Sequence, residues 1–147
     1  MKVLIDADAC PVTDIAVRLC KRYQVTCFLL CDTAHTMHRD GAQTLIFDKG
    51  SDSVDFALVN RTNSGDIVIT QDYGVASMCL AKGARILHQD GWEYTQWNII
   101  GLMEQRHIAK KHRMAGGRIK GPSKRTATQD KAFADTFRAL LQQSVQG

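Results

Sequence analysis

No apolar run in this chain approaches the ~18 residues that a bilayer-crossing helix needs. The opening Met1-Lys2-Val3-Leu4-Ile5-Asp6 meets a carboxylate too early for the core of a secretory leader. Neither a spanning nor a secreted protein is expected, and the reading is cytoplasmic. The five cysteines are odd in number and lack tandem metal-type spacing, which argues against a disulfide framework and for reduced thiols. Internal repeats and low-complexity tracts are missing too, so nothing suggests a second domain. What is present is 147 residues, 44% hydrophobic and 23% charged. That balance suits one compact domain over residues 1–147.

The net charge of +4 conceals a division. Residues 1–104 carry nine Lys or Arg against thirteen Asp or Glu, whereas residues 105–147 carry ten against two. An acidic body with a basic tail suits a protein that holds cations in one place and polyanions in another; the plain alternative is a solvated basic loop and helix.

Short apolar runs alternate with helical periodicity. Lys2–Ile5 reads as a strand, and Pro11 then stands where a first helical turn accepts it. Ile15, Ala16, Leu19, Cys20 and Tyr23 recur at helical spacing. Val25–Cys31, Gln43–Phe47, Ile67–Thr70 and Arg85–His88 read as four further strands, with short helices at about 52–61 and 75–81 between them, the latter stopped by Gly83. Thr95 can cap a helix whose inner side carries Ile99, Leu102 and Met103. A basic loop is expected at about 107–128 and a last helix at about 129–143, with Phe133, Phe137, Leu140 and Leu141 on one face. Strands too apolar to have a wet face, alternating with helices, predict an α/β three-layer sandwich around a mostly parallel five-stranded sheet.

In such sheets the functional crevice lies beyond the C-terminal strand ends, where strand order reverses. Acids gather there: Asp6 and Asp8 follow the first strand, Asp72 follows the fourth, and the helix after the third offers Asp52 and Asp55 on one face. If the first and fourth strands are neighbours, Asp6 and Asp72 stand within a few ångströms. Two charges ~4 Å apart repel by about 4 kcal/mol at an effective dielectric of 20. A proton or a divalent cation must relieve them, and oxygen donors without a nearby His or Cys favour Mg²⁺ or Mn²⁺. Such a site suits metal-assisted phosphoryl chemistry. The structural alternative is that Asp8, Asp52 and Asp72 serve as helix caps and turn formers.

The segments Asp6-Ala-Asp-Ala-Cys-Pro11, Gly50-Ser-Asp-Ser-Val-Asp55, Asp66-Ile-Val-Ile-Thr-Gln-Asp72, Lys82-Gly-Ala84, Gly116-Gly-Arg118 and Gly121-Pro122 resemble the YaiI/YqxD family of small bacterial proteins. The resemblance runs from the first residues to the last helix. That family is in turn similar to PIN-like domains, the fold of many metal-dependent ribonucleases. The resemblance implies strand order 3-2-1-4-5 and an acidic Mg²⁺ or Mn²⁺ pocket. It carries Asp6, Asp55 and Asp72 over as metal ligands, with Asp6 and Asp72 at the catalytic centre; Asp52, beside Asp55, and Asp8, this family's own addition, are expected as additional ligands of the metal or of its bound waters. A fourth acid common in PIN-like nucleases falls near Asp90.

The segment holding Arg106, Lys110, Lys111, Arg113, Arg118, Lys120, Lys124 and Arg125 has no acid among it. It can follow a phosphate backbone, with Gly116, Gly117 and Gly121 allowing close approach, although it has no aromatic residue on which bases stack. A linker returning the last helix to the sheet is the alternative. Cys20, Cys27, Cys31 and Cys79 read as core residues, and Cys10 borders the acids, where carboxylates raise its pKa. His35 and His38 read as surface residues, Trp92 and Trp97 as packing anchors. The leading expectation is a divalent-metal-dependent nuclease or phosphodiesterase acting on RNA or another phosphate ester. Its rivals are a haloacid-dehalogenase-type phosphatase, because Asp6-x-Asp8 after a strand suits an aspartyl nucleophile, and a non-catalytic module binding nucleic acid or protein. The oligomeric state is left open.

Overall fold

The computed structural model describes residues 1–50, 52–114, 116 and 124–146. Along the chain run β1 (Lys2–Asp6), α1 (Thr13–Arg22), β2 (Thr26–Asp32), β3 (Gln43–Phe47), α2 (Ser53–Arg61), β4 (Ile67–Ile69), α3 (Tyr73–Ala81), β5 (Arg85–Leu87), β6 (Glu93–Tyr94), α4 (Ile99–Met114) and α5 (Ala127–Gln146). The strands form one sheet in the order β3-β2-β1-β4-β5-β6, parallel throughout except for the antiparallel β5–β6 pair.

Because side chains alternate across a strand, the apolar runs split between two cores. Val3, Ile5, Leu29, Cys31, Ile67, Ile69 and Leu87 face α1 and α5, and Phe133, Phe137, Leu140 and Leu141 of α5 close that side. Leu4, Leu30, Val68 and Ile86 face α2, α3 and the start of α4. Both faces of the sheet are therefore covered, the three-layer α/β/α arrangement that the continuous apolar strands predict. At the N-terminal ends of β1 and β4, Asp66 accepts from the Lys2 main-chain N–H at 3.1 Å and from its Nζ at 2.7 Å. That pins the two central strands in register, with Ile5 opposite Ile69.

Three expectations are corrected. The sheet has six strands, not five: after the turn at His88–Gly91, Glu93 and Tyr94 pair back on β5. Two residues are too few to show an alternating pattern. The segment expected as a loop from about 107 is helical as far as Met114, because α4 continues past its apolar residues. The last helix also begins earlier and ends later than 129–143. No helix among the described residues is long and apolar enough to cross a membrane.

Thr95 caps α4 as expected: its Oγ1 accepts from the N–H groups of Trp97 and Asn98, while Asn98 Oδ1 accepts from the Thr95 N–H, a reciprocal box. Trp92 packs, stacked on His88 at 4.3 Å and edge-on to Tyr94. Trp97 does not, being 84% exposed. Cys20, Cys27, Cys31 and Cys79 are buried free thiols.

Arg125 holds the start of α5 down. Its Nε donates to Asp130 Oδ1 at 2.6 Å, Nη1 to Asp90 Oδ1 at 2.8 Å and Nη2 to the Gln89 carbonyl at 2.6 Å. This guanidinium is thus engaged in tertiary fastening rather than offered to a phosphate.

Candidate functional site

The parallel sheet reverses its order of connection between β1, which leads outward through β2 to β3, and β4, which leads through β5 the other way. Loops leaving the C-terminal ends of β1 and β4 diverge and leave a hollow there. It has a volume of ≈ 400 Å³, and Asp6, Asp8, Asp55 and Asp72 line it together with Val54, Gln71 and Tyr73. Four of the five predicted acids meet in this place. Asp52 shares a smaller neighbouring hollow of ≈ 210 Å³ with Asp55, Phe56, Asp72 and Met78. Its backbone is left-handed, with φ 65, and its side chain makes no capping bond to α2.

The register explains how Asp6 is held. One residue beyond the Ile5–Ile69 pair, Asp6 lies across from Thr70, whose hydroxyl donates to Asp6 Oδ2 at 2.9 Å. The same Thr70 Oγ1 accepts from the Asp72 main-chain N–H at 3.0 Å, so one buried hydroxyl links both acids. The Asp72 side chain accepts from the Val75 N–H at 3.1 Å, capping α3. Its capping role and its place in the hollow coexist. Thr70 was not singled out by the sequence reading. A polar residue ending an otherwise apolar Ile-Val-Ile strand was the available signal.

Asp6 is the electrostatic focus. Burial, followed by repulsion from Asp55, Asp72 and Asp8, pushes its pKa up to about 7, against the lowering effect of the Thr70 hydroxyl. Such a shift marks a carboxylate that lacks compensation for its charge. Asp6, Asp55 and Asp72 bring only oxygen donors to this hollow, the donor type that hard divalent cations such as Mg²⁺ or Mn²⁺ take. Cys10 has its pKa raised, with burial as the main cause and Asp6 a smaller one, so it is a weak nucleophile.

The surroundings of Asp8 differ from the expectation. β1 and β2 pair with Asp6 opposite Leu30, and two residues further along each chain come Asp8 and Asp32. Burial, then the Asp32 charge, raises the Asp8 pKa. His35, read from sequence as a surface residue without a partner, stands with Nδ1 2.8 Å from Asp32 Oδ1 and 3.9 Å from Asp8 Oδ1. Its hydrogen bond holds Asp32 below the usual carboxylate range.

Asp90, where a fourth acid was expected, does not line the hollow, and its carboxylate accepts from Arg125. Of the predicted phosphate contacts, Lys110 and Lys111 are exposed on α4. Arg118 and Lys120, with Gly117 and Gly121, lie outside the described residues, as do the side chains of Arg106 and Arg113.

Comparison with known proteins places the sequence in a family. Residues 4–143 match the profile of a family described as "Uncharacterized BCR, YaiI/YqxD family". A UPF0178 protein of Exiguobacterium sibiricum is 50% identical over 141 residues, 96% of each chain. One from Clostridium acetobutylicum is 46% identical over 143 residues, covering 96% of this chain and 97% of the relative. One from Natranaerobius thermophilus is 42% identical, covering 97% of both. No solved structure matches. With a match from the first strand to the last helix and relatives at such identity over nearly the full length, the chain belongs to the YaiI/YqxD family.

Proposed function

We propose that the protein is a divalent-metal-dependent phosphodiesterase, with single-stranded RNA as the substrate class to test first. The observation that carries this reading is Asp6: a carboxylate with its pKa raised to about 7, set among Asp8, Asp55 and Asp72 at the strand-order switch point. In this reading Asp6, Asp55 and Asp72 hold Mg²⁺ or Mn²⁺, and Asp8 and Asp52 stand beside them. A bound divalent ion supplies two things: charge neutralisation for a phosphate and a lowered pKa for attacking water.

The chain's own residues do the rest. The Thr70 hydroxyl orients the Asp6 carboxylate, and through the Asp72 N–H it fixes the start of α3. The hollow opens beside exposed Phe56 and Met78, an apolar rim next to the acids. Exposed Lys110 and Lys111 belong to the basic tail, whose charge draws in a polyanion without specifying its sequence.

The test is hydrolysis of a labelled single-stranded RNA by tag-free protein with Mn²⁺. Cleavage is expected with Mn²⁺, none in EDTA, and a loss of at least about 100-fold in Asp72→Asn, comparable to removing one strong electrostatic contributor. Asn at position 72 still caps α3, so the fold is retained. Cleavage that persists in EDTA or in Asp72→Asn contradicts the proposal. Salt-dependent RNA binding without turnover supports a non-catalytic binding module instead.

A further inference from the structure

We infer that the chain carries a second cation site of different chemistry, built from Asp8, Asp32 and His35 and suited to Zn²⁺. The inference does not rest on the phosphodiesterase reading: Asp32 and His35 lie outside the first hollow, and Asp8 alone lines both. The sheet register brings two of the donors together: Asp32 ends β2 and Asp8 lies just past the end of β1, each two residues beyond the Asp6–Leu30 pair. The turn after β2 supplies the third. Asp32 Oδ1 accepts from the Ala34 N–H at 2.8 Å, and His35 folds back three residues later with Nδ1 facing the same carboxylate.

One donor atom from each residue lies within 4.8 Å of the other two. Ligands on a tetrahedral zinc ion at 2.0–2.2 Å stand roughly 3.3 Å apart, so sub-ångström to ångström side-chain adjustments close the set around one ion. A separate observation points to a missing partner. Asp8 Oδ1 is sealed from solvent and has no hydrogen-bond partner, an arrangement that costs free energy unless a cation or donor satisfies it. His35 Nδ1 lies 3.9 Å from that oxygen, too far for a hydrogen bond.

An imidazole nitrogen with two carboxylates selects a borderline transition ion rather than Mg²⁺, which strongly prefers oxygen. Three protein donors leave a fourth position for water, and the exposure of His35 gives the ion a way in. Nδ1 presents its lone pair when the ring proton sits on Nε2, so the Nδ1 contact with Asp32 is exchanged for the metal.

The experiment uses the full chain without a histidine tag, in an Asp6→Asn background that disables the first site. Co²⁺, a spectroscopic stand-in for zinc, is titrated while its visible absorption is followed, and Zn²⁺ is then added in competition. One equivalent of Co²⁺ is expected, displaced by Zn²⁺. Adding His35→Ala weakens binding by at least about tenfold. Adding His38→Ala, a nearby exposed histidine outside the cluster, leaves it unchanged. Absence of bound Co²⁺ in the Asp6→Asn protein overturns the inference. So does equal affinity with and without His35, or an equal loss in His38→Ala.

Discussion

In metal-free buffer at pH 8, Asp6→Asn melts several degrees above the wild-type protein, by up to about 16 °C, and the two curves converge near pH 4. The sign follows from the raised pKa. Asp6 has an ordinary carboxyl value of 3.8 in the unfolded chain and one of about 7 in the fold. Below pH 4 both states hold the proton, and burial of a neutral carboxyl is tolerated. Between about pH 4 and 7 the unfolded chain releases its proton while the fold keeps it, so stability falls as pH rises. Roughly three units correspond to about 4 kcal/mol at most, and a domain of this size gains about 2–4 °C per kcal/mol.

Asn carries no titrating group, and its amide oxygen can still accept from the Thr70 hydroxyl, so the variant escapes the penalty. The same change is expected to remove the Mn²⁺-dependent hydrolysis proposed above. Gain of stability with loss of activity is the signature of a site whose charges are assembled for a ligand rather than for the fold. Scanning calorimetry across pH 4–8 in chelator reads the effect. Parallel wild-type and Asp6→Asn profiles would mean that Asp6 titrates as an ordinary surface acid.

The second large effect lies away from the acids. Gly91→Ala destabilises the protein by about 3–5 kcal/mol, close to the limit of what this fold tolerates. Gly91 turns the chain between β5 and β6 with φ +92, a conformation that a β-carbon strains. An added β-carbon would also meet the backbone of α5 head on, 2.6 Å from the Ala132 carbonyl carbon and 2.8 Å from the Phe133 nitrogen. Neither backbone atom can swing aside as a side chain could, so α5 must lift.

Lifting it loosens Phe133 and Phe137, both fully buried, and breaks the bond from Thr136 Oγ1 to the Gly91 carbonyl. The neighbouring Arg125–Asp90 bridge is strained with it. Urea unfolding measures the loss as a lower midpoint with an unchanged slope. A midpoint within experimental error of wild type would show that the close approach of α5 to this turn is not a feature of the folded protein in solution.

The sheet was legible because its strands are buried on both faces and so read as continuous apolar runs: Val3-Leu4-Ile5 and Ile67-Val68-Ile69 admit little else. What escaped was structure without hydrophobic patterning. β6 has two residues and is held by pairing with β5, which no local pattern announces. α4 keeps its helical hydrogen bonds beyond Met103, but Glu104-Gln105-Arg106 and the residues after it lack an apolar period, so periodicity lost the helix where it left the core. Good intrinsic helix formers in that stretch were the weaker signal that could have extended it.

The acids show the same division. Asp6 and Asp72 could be located because Asp6 ends one buried strand and Asp72 follows shortly after another, and Asp55 because it lies on the helix between. Asp32 and His35 could not. Their relation to Asp8 depends on the register of β1 against β2, a tertiary fact, and the apolar run of β2 stops one residue short of Asp32. Arg125 taught the converse: a basic residue in a basic segment, legible as a phosphate contact, is engaged by Asp90 and Asp130.

The proposed site requires carboxylates from separate strands and helices to share one cation, and Mn²⁺ anomalous diffraction from soaked crystals tests that most directly. A single strong peak bonded to both Asp6 and Asp72 is the predicted result. A map with no peak between them, in crystals where the two side chains are ordered, would contradict it.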